Sequence, residues 1–173
     1  MRWPLVTSLV TALVVLQTGV SAAAPAIATD GFSARVLDLT NAERQRAGLG
    51  PLVLNDQLTS AAQGYSQVLA SSGCFQHTCG PVPDFADRDG QAGYTGWISI
   101  GENIAAGYAS PEEVVAGWMA SPPHRANILS ASFTEIGVGV VTGGGQLGTY
   151  WAAEFGSRPG TAGASAQDGL PGD

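Results

Sequence analysis

Apolar residues recur along this chain in two rhythms. Phe32, Val36 and Leu39, then Leu58, Ala62, Tyr65 and Leu69, then Val114, Val115 and Trp118 are spaced mostly three or four apart, which places each set on one face of a helix. The first helix is expected to run from a cap at Asp30 to a left-handed stop at Gly48, and the second from a cap at Asp56 to Gly73. Pro111, followed by Glu112 and Glu113, opens the third, because proline suits a first turn and acidic side chains suit the positive end of the helix dipole. Ser121-Pro122-Pro123 should end that helix and start another, with His124 and Arg125 in its first turn. After Leu129 the period becomes two. Ile136, Val138 and Val140 alternate with Gly137 and Gly139, and Gly143-Gly144-Gly145 leads into a second extended run over residues 150–155. That pattern predicts an antiparallel hairpin, with the glycines marking a close approach by another backbone or side chain.

Between these elements the signals are weaker. Residues 51–54 are too few to assign, residues 83–93 suit a short helix opened by Asp84, and residues 94–100 suit an extended segment. Helices first and a hairpin last indicate an α+β domain. Asn41, Glu43 and Arg44 read as surface positions with a local ion pair.

The N-terminal apolar run differs in kind. Arg2, a mostly apolar stretch over residues 5–20 and small residues after it read as a secretory signal peptide over residues 1–28, with cleavage after Ala28 or among the alanines at 22–24. Thr7, Ser8, Thr11, Gln17 and Thr18 interrupt the run, so stable membrane insertion is not expected after cleavage. One domain over residues 30–156 follows, and a Gly-, Ala-, Pro- and Ser-rich tail over residues 157–173 is expected to be disordered.

Charge removes several function classes. Loss of a leader containing Arg2 would leave six basic residues against fourteen acidic ones, a formal charge of about −8, which disfavours nucleic acid as a partner. The chain has no lysine, so lysine-based covalent or general-base chemistry is excluded. Cys74 and Cys79 are the two cysteines, and in an exported protein so close a pair reads as a local disulfide that shapes its turn.

His77 lies inside that loop, and His124 is the other histidine. With Glu102, in Gly101-Glu102-Asn103-Ile104, they could bind zinc with open positions for water, or Glu102 could act as a general base oriented by a histidine. Spacing alone favours a plainer role, each histidine bracing its own turn, because no compact metal, nucleophile or phosphate motif is present.

Asn41-Ala42-Glu43-Arg44, His77 after its helix, Gly101-Glu102-Asn103-Ile104, residues 118–129, Phe133-Thr134-Glu135-Ile136-Gly137-Val138-Gly139 and Tyr150-Trp151 occur in one order. In that order the chain resembles the bacterial, SCP-like extracellular branch of the CAP superfamily, named for cysteine-rich secretory proteins, antigen 5 and plant pathogenesis-related proteins. The resemblance covers roughly residues 32–156. It implies a secreted α-β-α sandwich, a central antiparallel sheet with helices on both faces, and a broad cleft. In eukaryotic relatives that cleft holds two histidines and two glutamates, and some relatives bind a divalent metal there. The matching positions are His77, Glu102 and His124; the second glutamate falls on Ser121. Loss of one carboxylate weakens the site for a hard or borderline cation. Glu135 is a candidate replacement or a brace for His124 or Arg125, while Asn103, Arg125 and Asn127 read as hydrogen-bonding supports. Trp118 and Trp151 read as core. The resulting expectation is a monomeric, non-catalytic extracellular module for a lipid-like, cell-wall or protein ligand. The alternatives are a zinc-dependent hydrolase or peptidase with His77 and His124 as ligands, and a purely structural brace.

Overall fold

Gly137 and Gly139 show how the layers are assembled. A Cβ on Gly137 would lie 2.0 Å from the backbone carbon of Leu58, and one on Gly139 would lie 2.3 Å from that of Ala62. The backbone of one helix therefore rests directly on a strand, as alternating glycines allow. The structure, a computed structural model, describes residues 31–160. The leader, the Asp30 cap and the tail beyond Gly160 lie outside the described residues.

The elements run α1 (Phe32–Arg46), β1 (Val53–Leu54), α2 (Asp56–Ser72), α3 (Phe85–Gln91), β2 (Ser99–Ala106), α4 (Pro111–Ala120), α5 (Pro122–Ile128), β3 (Glu135–Gly144) and β4 (Gly148–Ser157). The sheet order is β1-β3-β4-β2. β3 pairs antiparallel with β4, and β4 with β2. β1 is a short parallel addition beside Glu135 and Ile136. Helix α2 covers one face of the sheet, with α3 beside it; α1, α4 and α5 cover the other. The α-β-α sandwich is thus present, its antiparallel sheet carrying a parallel edge.

Local chemistry explains most boundaries and adjusts some. Asn55, one residue before the expected cap, accepts from the amides of Gln57 and Leu58, leaving Asp56 in the first turn. Gly73 closes α2 in the left-handed region. Ser121 serves as the last cap of α4 and the first of α5. The hairpin is longer than residues 136–155: its strands run from Glu135 and end at Ser157, and Arg158 bonds back to Glu135 and Gln57. The fold therefore extends past residue 156. β2 starts at Ser99, so the extended segment begins later than residue 94, and Tyr94 before it is fully buried.

Alternation along the strands sorts the interior. Ile136, Val138, Val140, Trp151, Ala153 and Phe155 join Trp118 and Ile128 in an apolar core under α1, α4 and α5. The intervening positions Ile104, Tyr150 and Ala152 face α2, with Ala62, Tyr65 and Leu69. Exposed backbone on an outer strand invites unwanted pairing. Beyond β1, the edge of β3 is closed by the Ser33 hydroxyl on the Val138 carbonyl and by the Gln63 amide, which bonds both the N–H and the carbonyl of Val140.

Candidate functional site

β2 organises the site because its successive side chains point to opposite faces. Glu102 turns toward α2 and α3, and Asn103 toward α5. His77 arrives from the loop after α2, closed by a Cys74–Cys79 disulfide. The Tyr65 hydroxyl donates to the Gln76 carbonyl at 2.6 Å, and Arg88 Nη1 donates to the His77 carbonyl at 3.2 Å. So held, His77 Nδ1 donates to Glu102 Oε1 at 2.6 Å. The imidazole is 53% exposed and the carboxylate 1%, so the histidine forms the outer surface of a buried acid.

His124 stands on the other side of β2, in the first turn of α5 and half-buried. Its carbonyl accepts from Asn103 Nδ2 at 3.0 Å. Asn127 Nδ2 donates to the Glu102 carbonyl at 3.0 Å and to Asn103 Oδ1 at 2.9 Å. These amides tie α5 to the outer edge of β2. Burial lowers the His124 pKa below its ordinary 6.5, and the charge of His77 acts in the same direction, so His124 presents a neutral ring at neutral pH.

Three residues behind His77 and Glu102 carry no mark of a site in the sequence reading. Arg88 on α3 bonds the second Glu102 oxygen, donates to the Pro83 carbonyl at 2.7 Å, and lies 3.4 Å over the Tyr65 ring. Glu154 is directly opposite Glu102 in the β2–β4 register and fully buried. Arg88 Nη2 is 3.5 Å from Glu154 Oε1, close enough for attraction but too long for a sound hydrogen bond. Asp89 is also fully buried, with neither oxygen hydrogen-bonded. Burial pushes Asp89 up to about 7, with Arg88 opposing and Glu102 assisting. Burial also raises Glu154 well above the carboxylate range, reinforced by Glu102 and Asp89 against Arg88. The signal available was Glu154 itself, an acid inside the apolar run over residues 150–155 at the same strand parity as Tyr150 and Ala152.

Other expectations are corrected. Arg44 is not a surface residue: it is 2% exposed and donates to the carbonyls of Gly50, Ile128, Ser130 and Phe133. Glu43 pairs with Arg46 instead. Glu135 braces neither His124 nor Arg125. It accepts from Asn55 at 2.8 Å, Tyr94 at 2.7 Å and Arg158 at 2.9 Å, at the far end of α2. Arg125 is exposed, and among the described residues its guanidinium has no hydrogen-bond partner.

The residues make up only part of a catalytic zinc site. Both Glu102 oxygens are engaged, and Arg88 already supplies the compensating cation. What remains is His77 Nε2 and the His124 ring, one donor short of the three protein ligands usual at catalytic zinc. Among the described residues, no group of three or more His, Cys, Asp or Glu side chains is arranged to hold an ion.

Comparison with known proteins adds three findings. Residues 37–155 match the model of the cysteine-rich secretory protein (CAP) family. YkwD of Bacillus subtilis is 39% identical over 139 residues, 80% of this chain and 52% of that protein; the chain thus spans about half the length of this relative. The crystal structure of an extracellular protein containing a SCP domain from Bacillus anthracis superposes with a TM-score of 0.68 at 29% identity, over 75% of this chain and 41% of that one. An outer surface protein of Borrelia burgdorferi shares the fold at TM-score 0.69 and 20% identity, over 77% and 97% of the two chains.

Proposed function

Because the chain belongs to the cysteine-rich secretory protein (CAP) family, we propose that it acts outside the cell as a non-catalytic binding module. It takes a lipid-like, cell-wall or protein ligand in the cleft lined by His77, Glu102 and His124. The observation that carries this reading is the state of Glu102, whose two oxygens are occupied by His77 and Arg88 inside the protein. A carboxylate so engaged is a poor general base, since a base must reach the proton it abstracts. What the cleft offers a ligand is the outer edge of one imidazole and a second, neutral one. The Cys74–Cys79 disulfide suits an oxidising compartment, and the Bacillus anthracis relative is described as extracellular. Among the described residues no helix is long and apolar enough to cross a membrane.

The test is capture. Immobilised protein, incubated separately with bacterial lipid extract, cell-wall fragments and secreted proteins, should enrich one of the three, and a His77→Ala/His124→Ala double variant should lose that enrichment. No enrichment from any source, or enrichment that survives the double substitution, overturns the proposal.

One observation favours the zinc-hydrolase alternative. A carboxylate fixing Nδ1 so that Nε2 faces outward is the arrangement that orients metal-bound histidines. That reading requires stoichiometric zinc uptake at neutral pH that declines in acid, because a ligating imidazole must be deprotonated. Equilibrium dialysis showing no uptake removes it.

A further inference from the structure

Helix α3 buries two side chains, and both are charged: Arg88 and Asp89. Phe85 and Ala86 are only half-buried. A seven-residue helix does not persist alone, so its position depends on what those two side chains meet. Arg88 fastens it to Glu102 on β2, to the His77 carbonyl and to the Tyr65 ring on α2. Asp89 and, across from it on β4, Glu154 are fully buried and find no hydrogen-bond donor. Three carboxylates therefore share one guanidinium in a space closed to water. Buried charge without a partner is strongly disfavoured, so the cluster is at ease only while some of its acids carry protons.

We infer that Arg88, Asp89 and Glu154 form a pH-sensitive latch that holds α3 against the sheet while Asp89 and Glu154, which lack hydrogen-bond donors, are protonated and releases it when they ionise. Glu154 is fixed in a central strand and cannot reach water by itself. Asp89 lies on α3, whose Phe85 and Ala86 are only half-buried, so an outward movement of this short helix would bring its carboxylate to water. The facing charged and titratable groups are Tyr65 from α2, His77 from the disulfide loop, Glu102 from β2 and Tyr94 just after α3. The Tyr94 hydroxyl is itself committed to Glu135, which also holds Arg158.

The sign follows from the raised pKa values. An acid raised in the folded state favours the closed form at low pH and weakens it as pH climbs from its ordinary value toward the raised one, which for Asp89 is about 7. Because Arg88 also tethers the His77 carbonyl, release of α3 frees one restraint on the His77 loop. That consequence, unlike the latch, rests on reading the cleft as a binding site.

Amide hydrogen exchange on the full chain tests the latch without ligand. After correction for intrinsic rates, protection over residues 85–92 should fall about tenfold or more between about pH 5 and about pH 8, while the centres of β3 and β4 keep theirs. Asp89→Asn and Glu154→Gln should each preserve α3 protection at the higher pH. Trypsin supplies a second readout, since Arg88 is cleaved only when α3 is open: near pH 8 the Glu154→Gln chain should be cut after Arg88 about tenfold more slowly than the parent. Equal α3 protection at both pH values, or equal cleavage of parent and variant, overturns the latch. Should a variant not fold, the pH dependence of the parent alone decides. Failure of ligand capture would leave the latch intact, and flat exchange would leave the cleft proposal intact.

Discussion

The two faces of the sheet are made by alternate residues of the same strands, yet they are chemically unlike. Under α1, α4 and α5 the strands contribute Ile136, Val138, Val140, Trp151, Ala153 and Phe155, which close on Trp118 and Ile128. Under α2 and α3 the same strands turn in Glu102, Glu154 and Glu135, matched by Arg88, Asp89, Tyr94 and Arg158. One face is held by apolar burial, which involves no titrating group. The other adds to a smaller apolar cluster around Tyr65, Leu69 and Ile104 a set of charges that must be paired or protonated. The candidate site lies at the edge of the second face, where His77 covers Glu102. A scaffold stable on one side can carry an electrostatically constrained interior on the other.

The largest expected effects set the two faces against each other. Trp151→Ala opens a cavity in the apolar core and should lower unfolding stability by about 3–5 kcal/mol at any pH. Arg88→Met should cost a similar amount, about 3–5 kcal/mol, because it leaves buried carboxylates without their cation; unlike the tryptophan change, its cost should shrink in mild acid as those carboxylates protonate. Urea unfolding at two pH values separates the cases, and an equal pH response in both variants would erase the distinction.

Next comes Gly137→Ala, whose added methyl must push the backbone of α2 off β3. Overpacking of this kind costs about 1–3 kcal/mol, measurable by thermal unfolding.

A broader consequence lies in the pH profile of the parent. Burial alone would raise Glu135, but hydrogen bonds from Arg158, Tyr94 and Asn55 outweigh it and hold the group below its ordinary value. Its stabilisation is therefore present above the usual carboxylate range and lost as pH falls. Asp89 and Glu154 act in the opposite sense. Stability should peak in mild acid and decline on both sides. Glu154→Gln should flatten the alkaline limb while leaving the acid limb, as a series of unfolding curves would show.

The smallest effect belongs to His77→Ala. The ring is half exposed, so its contact with Glu102 is partly screened and its removal should change stability by about 1 kcal/mol or less. Loss of ligand capture with unchanged stability would mark His77 as a recognition residue; a large stability loss would make it a brace.

Much of this architecture was legible in the chain. The stripe of Leu58, Ala62, Tyr65 and Leu69, the glycine stop at 73 and the Ser121-Pro122-Pro123 junction are local signals, and the helices follow them. The glycines at 137 and 139 signal a close approach by a backbone or a side chain, and the structure shows that it is the backbone of α2. Asp56 against Asn55 was a contest between adjacent capping residues, decided by which side chain reached the free amides. Arg44 was misread because its partners are carbonyls more than eighty residues away, apart from that of Gly50. Glu135 takes its partners from the side chains of Asn55, Tyr94 and Arg158, 80, 41 and 23 residues away, which spacing alone does not reveal.

The chain by itself determined the helices, the hairpin, the short disulfide loop and the family, because each rests on spacing between near neighbours or on motifs in a fixed order. Tertiary structure alone decided that β2 joins the outer side of β4 in a register that sets Glu102 against Glu154, and that α3 brings Arg88 and Asp89 to them. Strand order and register join residues remote in sequence, and a buried charge takes its meaning from those remote neighbours.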